Sequence, residues 1–484
     1  MKFPRTVLLV ATLATMTTAV SAGATNAGPQ WRAARIVALP GGATGLPQGY
    51  LPALSCASAR NCAAGGAYSD AAGRSQGLLL EEVAGIWRAP QHVVVPPGAA
   101  ADPGLTVGAL SCATARNCAA GGSYRQNGGN LQSFVASEVR GAWSGARLVV
   151  LPADAMTTGQ TSSLRSISCA SAGNCSAIGT YLDSAATVGR SDGYVVSETH
   201  GLWGGATEFS LPANANVNPF VSFNQVDCPS VGNCNAVGSY VDLNGVTHGL
   251  SVDEVSGTWA PSQSLTLPGD ANAFPGASLS EISCFSAANC TAIGSYTNAS
   301  GAIEGLAVAE RHGQWDRAVT LWMPPGAAPN PGAYQYGFNG LSCPAVGNCS
   351  AGGRYRDARQ LYQGFLVNEV NGRWGLATEL VLPSGAPAVG KNGGVVAVSC
   401  HSAGRCSAGA AYLDRAHHYQ ALVVSEIANT WLTGTTLKLP RAAAAVGIDG
   451  GVYGLVCRTA TSCTATGSYL GSKTTYQGFT DTTR

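Results

Sequence analysis

One unit is written eight times along these 484 residues: Ser-Cys-x5-Cys-x-Ala-x-Gly-x-Tyr, a short apolar run ending in Glu, Trp five residues later, and Pro nine residues after that, with single-position departures. The first cysteines of the units are Cys56, Cys112, Cys169, Cys228, Cys284, Cys343, Cys400 and Cys457, a period of 56 to 59 residues. A unit of this kind cannot bury its apolar faces alone and must stack against its neighbours, so the chain is a repeat architecture. The fixed intervals mark framework: first Cys to Tyr is 12 residues, Glu to Trp is five wherever the Glu occurs, and Trp to Pro is nine in all eight copies.

Between these landmarks lie four strands. Strand A leads into the first cysteine (residues 163–169 in the third unit), and B runs from the second cysteine to the tyrosine. C is the apolar run at 193–198, and D spans 203–211, stopped by Pro212 because proline cannot continue a ladder. Abundant Gly and a charged fraction of only 11% suit short strands and tight turns better than amphipathic helices. Four antiparallel strands per unit, eight times over, predict an all-β chain folded as an eight-bladed β-propeller. The ends agree with that expectation. The chain carries an orphan D strand at 31–39 and finishes on an orphan C strand at 477–479, so residues 31–39 are expected to complete the last blade and remove its open edge.

Residues 1–27 read as a secretory signal, with basic Lys2 and Arg5, an apolar run at 7–13, and small residues that place cleavage after Ala22 or Ala27. The apolar run is too short to span a bilayer. The expected mature protein, 28–484, is one secreted, monomeric propeller domain. With 27 basic and 26 acidic residues it lacks the electrostatic footprint of a nucleic-acid or membrane-surface binder. All 16 cysteines fall in the eight Cys-x5-Cys pairs, and an even count in an exported chain argues for disulfides. The expected bridges are Cys56–Cys62, Cys112–Cys118, Cys169–Cys175, Cys228–Cys234, Cys284–Cys290, Cys343–Cys349, Cys400–Cys406 and Cys457–Cys463. The spacing is wider than a zinc knuckle and no histidine recurs beside it, so no metal or other cofactor is expected.

The doublets Gly65-Gly66, Gly121-Gly122 and Gly352-Gly353 ending strand B, with the Tyr and Trp that follow, resemble kelch-type blades. The fuller cysteine pattern is similar to tandem repeats of secreted bacterial proteins. The resemblance covers essentially the whole mature chain and implies the fold, but no activity, since lectins, lyases, oxidases and scaffolds share it. A copper-radical oxidase on such a fold needs an unpaired cysteine to cross-link a tyrosine, and here every cysteine is committed.

The Glu ring (Glu82, Glu138, Glu198, Glu254, Glu310, Glu369, Glu426) and the Trp ring recur in nearly every unit and are read as framework. In a propeller the A–B and C–D turns share one face, and these keep their lengths. Every insertion falls on the other face: three residues in the B–C loop of unit three (182–192), and one to three in the connectors before Cys169, Cys343, Cys400 and Cys457. Loops on a rigid scaffold are where binding resides. The candidate ligand residues on that face are Tyr334, Tyr336 and Phe338 in the longest connector, an aromatic cluster that either stacks on a ligand or packs on itself over the channel, Arg356, Arg359 and Tyr362 beside Arg354 in unit six, and His417 and His418 in unit seven. Asp70, Asp183, Asp242, Asp357 and Asp414, two places after the repeat tyrosine, are expected to cap turns. The expected function is recognition of an extracellular glycan or protein. The alternatives are a lyase or glycoside hydrolase drawing acid and base from Asp102, Asp154, Glu304, His248, His417 and His418, or a passive envelope scaffold.

Overall fold

Each repeat forms one antiparallel sheet with its strands in the order A-B-C-D. The computed structural model describes residues 28–44, 51–184, 190–328, 336–384, 386, 393–440, 450–471 and 476–483; residues 1–27, expected to be a signal, lie outside them. Blade three is typical: A is Ser162–Ser171, B is Asn174–Asp183 and C is Arg190–Thr199. Strand D is in two pieces, Leu202–Trp203 and Thr207–Glu208, each paired with C. The sequence predicted one continuous D strand. It splits because its middle is used elsewhere: the Ala206 N–H bonds the Val150 carbonyl of the preceding blade at 2.8 Å, as Ala146 does to Val94 and Ala377 to Trp322 (both 2.9 Å).

The eight A strands pack against one another around the axis, including the first (Ala53–Ser58) against the last (Gly451–Thr459), so the ring is closed. Blade eight takes its outer strand from the N-terminus: Arg35 and Ile36 pair with Thr480 and Phe479, and Trp31 bridges to Thr483.

All eight cysteine pairs are disulfides, each joining strand A to strand B of its own blade across the A–B turn, with Cα–Cα distances of 3.9–4.1 Å. The pairing is the expected one: Cys56–Cys62, Cys112–Cys118, Cys169–Cys175, Cys228–Cys234, Cys284–Cys290, Cys343–Cys349, Cys400–Cys406 and Cys457–Cys463. The second member of every pair (Cys62, Cys118, Cys175, Cys234, Cys290, Cys349, Cys406, Cys463) is buried in strand B, so the bridges belong to the interior of the blade stack. Each closes a short loop, a constraint worth about 2 kcal/mol in the chain-entropy picture.

The core lies between blades. Ile178, Val195 and Phe209 of blade three, for example, meet Phe223 and Val226 of blade four. Strands B and C are therefore covered on both faces and read as continuous apolar runs. Strand A carries a one-residue bulge in seven blades. Beside it the Ser222 carbonyl stands 1.9 Å from where a Cβ on Gly238 would sit, which explains the motif glycine. The motif serine before the first cysteine has a role that its spacing did not reveal. Ser55 Oγ accepts the Cys112 N–H of the next blade at 3.0 Å, and the link repeats around to Ser399 and Cys457 at 2.9 Å, with Asp227 replacing serine in blade four. At the closing junction Val456 breaks the series, and Arg458 donates to the Cys56 carbonyl instead.

Candidate ligand-binding face

The face carrying the A–B and C–D turns is laced shut by backbone bonds. Gly201 N–H bonds the Gly173 carbonyl at 2.8 Å, and equivalent bonds recur in six other blades. Asn174, before the second cysteine, accepts from the His200 N–H at 3.2 Å and donates to Ser171 Oγ at 2.9 Å. The repeated Glu and Trp reach back to the preceding blade: Ser137 Oγ donates to Glu198 Oε1 (2.6 Å) and accepts from Trp203 Nε1 (2.8 Å). Asn368 does the same for Glu426 and Trp431 (2.5 and 2.9 Å). Trp31, Trp87, Trp143 and Trp259 bury their N–H without an acceptor among the described residues, so the indole packs there without that bond. Burial raises Glu426 to about 7; burial and then the neighbouring Glu81 raise Glu138 to about 7 as well.

The opposite face is built on a cross-strand tie. Where strand B ends, two places after the repeat tyrosine, an Asp faces a Gln that opens strand C. Gln363 Nε2 donates to Asp357 Oδ2 at 3.0 Å, Gln420 to Asp414 at 2.7 Å, and Gln76 to Asp70 at 3.3 Å. The other carboxylate oxygen caps the turn: Asp357 Oδ1 accepts from the Arg359 and Leu361 N–H groups at 2.9 and 3.0 Å. Blade four substitutes His248, 3.0 Å from Asp242, and blade five reverses the pair as Asn298 and Glu304. In blade four the Val246 N–H holds the Asp242 carboxyl below its ordinary range, with burial opposing and His248 and the Asn244 N–H adding to the lowering. The turn-capping role expected for these aspartates holds in blades one, four, six and seven.

Blade three departs from the pattern. Asp192 replaces the Gln, so two carboxylates face each other, and Arg190 Nε lies 2.8 Å from Asp183 and 2.5 Å from Asp192. Both aspartates are only 1% exposed. Glu208 adds a third carboxylate 3.6 Å from Arg190, and Tyr181 donates its hydroxyl to Asp154 at 3.0 Å. Burial, then Asp192 and Asp154, raise Glu208 to about 7. Burial also raises Asp192 to about 6, with Arg190 opposing and Asp183 reinforcing the shift. Asp183 thus takes part in an ion pair, and the turn that it was expected to cap lies outside the described residues. The signal for this cluster was legible: Gln76, Gln132, Gln363, Gln420 and Gln477 hold the position that Asp192 occupies.

At the blade six corner the rings and charges are reversed. Strand B (Asn348–Arg356) ends on arginines and strand C (Tyr362–Val370) opens on tyrosine. The Arg354 and Arg356 guanidiniums lie 4.9 and 4.8 Å from the Tyr362 ring centre, and Arg356 Nη2 donates to the Tyr362 hydroxyl at 3.1 Å. Arg359 is exposed in the turn. In blade seven, His417 is exposed with a φ of 63°, and His418 is half-buried with its N–H on Asp414 at 3.0 Å.

Phe338 does not take the place expected of it in an aromatic cluster. It is 4% exposed and packs edge-on to Phe365 at 5.3 Å in the core between blades five and six, so it has no free face for a ligand. Tyr336 opens strand A of blade six, pairing with Tyr355, and Tyr334 lies outside the described residues. Four of the acid and base candidates are tied to neighbouring groups: Asp102 to the Ser75 N–H, Asp154 to Tyr181, Glu304 to Asn298 and His248 to Asp242.

Two cavities were unexpected. A groove of about 590 Å³ on the outer edge between blades six and seven is lined by Trp374, Trp431, Leu376 and Leu432, where the split D strands part. A polar cavity of about 500 Å³ follows the axis, with Arg165, Gln225, Asp227 and Glu281 on blades three to five and small or apolar residues on blades one and two.

No family model matches the chain, and no curated protein matches it in sequence. Among solved structures it is similar to an ulvan lyase (TM-score 0.45, 10% identity, 75% of this chain and 89% of that one). It is also similar to the six-bladed fucose-binding lectin of Aleuria aurantia (0.35, 13%, 72% and 99%) and to an α-L-arabinanase of Penicillium chrysogenum (0.32, 10%, 68% and 95%). These overlaps assign neither ligand nor reaction to this chain.

Proposed function

We propose that this is a secreted binding propeller that recognises an extracellular polysaccharide on its B–C and D–A loop face. One observation carries the proposal. The turn face repeats the same backbone bond in seven blades, whereas a single position on the loop face holds an Asp–Gln tie, an Asp–His tie, an Asn–Glu tie, an acidic cluster or a guanidinium-tyrosine contact, according to the blade. Framework needs sameness, and recognition needs side chains free to differ. Eight disulfides and no free cysteine among the described residues suit an oxidising, extracellular setting. The test is a polysaccharide panel offered to the chain from residue 28 onward. Binding that survives substitution of exposed turn-face residues such as Ile86 and Leu202, but not of loop-face residues, supports the proposal; the reverse pattern refutes it.

One observation favours catalysis instead. Glu208 at about 7 and Asp192 at about 6 flank Arg190 in blade three, a pair of carboxyls able to exchange protons near neutrality. A lyase or hydrolase would then release new chain ends from a bound polysaccharide, and Glu208→Gln would abolish the release. Absence of any turnover across the panel would remove this alternative.

A further inference from the structure

Arg354 and Arg356 form no ion pair among the described residues, although carboxylates stand in the same blade. Asp357 is consumed by the Arg359 and Leu361 N–H groups and by Gln363, and Glu379 accepts the Tyr355 hydroxyl at 3.1 Å. The two guanidiniums instead lie over one tyrosine ring, 4.9 and 4.8 Å from its centre. Arg354 is exposed, and the strand A residues beside it, Gly337 and Gly394, carry no side chain to cover it: a Cβ at either would stand 3.6–3.9 Å from the arginine. In sequence, the connectors on either side of blade six, 322–335 and 383–393, contain no Asp or Glu.

We infer that the blade six corner is an anion subsite for acidic sugar residues, with Arg354 and Arg356 receiving a carboxylate or sulfate carried on the polysaccharide and Arg359 adding charge at its edge. The inference rests on the loop-face proposal above and names its ligand class. A planar, stacked guanidinium offers paired N–H donors that match a carboxylate or sulfate edge, which a neutral sugar does not exploit. The nearly balanced charge of the whole chain does not oppose this, because the excess is local.

The experiment measures affinity of the chain from residue 28 for three probes: polygalacturonate, heparin and neutral dextran. Both acidic polymers are expected to bind, more weakly as salt rises from about 50 to about 500 mM, with dextran at least about tenfold weaker. Polygalacturonate carries carboxylates alone and heparin carries both carboxylates and sulfates, so binding of heparin without polygalacturonate marks a sulfate preference. Arg354→Gln with Arg356→Gln should cost about tenfold or more in acidic-polymer affinity, and the paired Lys substitutions should restore only part of it. A melting temperature recorded on each variant separates lost binding from lost fold, and the exposed single change Arg354→Gln carries the test if the double variant unfolds. Equal binding of dextran would overturn the anion class and leave the loop-face proposal standing. Acidic-polymer binding unchanged in the double Gln variant would overturn the site. No binding to any of the three probes would overturn the anion subsite, and the loop-face proposal would then stand or fall on the wider panel.

Discussion

Blades three and six end their B strands at the same structural position and solve it in opposite ways. Blade three buries an excess of carboxylate around one arginine, with Asp183 and Asp192 shielded from water and Arg190 between them. Blade six keeps the Asp357–Gln363 tie and places its charges outward, on Arg354 and Arg359, with no ion pair among the described residues. The same scaffold thus carries one corner whose charges serve mainly each other and one whose charges await a partner. A buried charge is costly when its partner is removed, and an exposed one is not.

Arg190→Leu should therefore give the largest effect, a loss of about 3–5 kcal/mol read by denaturant unfolding, because two buried carboxylates lose their counter-charge. A change under about 1 kcal/mol would mean that water reaches that corner and the contrast is false. Next comes pH. Asp192 and Glu208 sit at about 6 and about 7 when folded, above the ordinary carboxylate range near about 4. The folded corner then keeps protons that the unfolded chain has released. Its stabilisation is full below that ordinary range and is lost as pH climbs through about 6 and about 7. Melting temperature should fall from pH 5 to pH 8, and Asp192→Asn should flatten part of that fall. An identical slope in the variant would show that the raised framework carboxyls, such as Glu310 and Glu426, account for all of it. Asp357 moves the other way: its pKa is lowered, with burial opposing and the Leu361 N–H and Gln363 lowering it, so its contribution is lost only in acid. The blade six corner should be flat between pH 5 and pH 8.

Asp192→Gln would rebuild in blade three the tie that blade six has. It should change stability by only about 1 kcal/mol, and in that background Arg190→Leu should cost less than it does in the wild type. Additive costs in the double-mutant cycle would break the proposed equivalence of the two corners. The smallest effect is expected from Arg354→Gln, within about 0.5 kcal/mol of wild type in stability. A larger loss would make that arginine framework and not a free group.

The architecture was legible because it rests on spacing within a unit: the cysteine interval, the Trp-to-Pro interval and the spare strand at 31–39 all find their places. What was not legible depends on partners in the next blade. The motif serine, the split of strand D and the Glu–Trp pair each bond across a junction some 50 to 75 residues away in sequence, where no local pattern points. Phe338 was misplaced for a different reason. It was grouped with Tyr334 and Tyr336 as a connector aromatic, yet it stands five residues before a first cysteine, where Val107, Leu164, Phe223, Leu279, Val395 and Val452 are all buried. The repeat period would have placed it in the core. The blade three cluster needed the same alignment, with Asp192 set against the glutamines of its sister blades.

The central claim is that the ligand meets the loop corner of blade six and not the framework. Backbone hydrogen exchange of the chain saturated with polygalacturonate or heparin, compared with the free chain, tests it most directly. The account predicts slowed exchange across 354–363 and the adjoining 414–420, with 368–381 and 429–432 unchanged. Protection confined to those last two segments, around Trp374 and Trp431 at the outer groove, or to 181–208 in blade three, would contradict it.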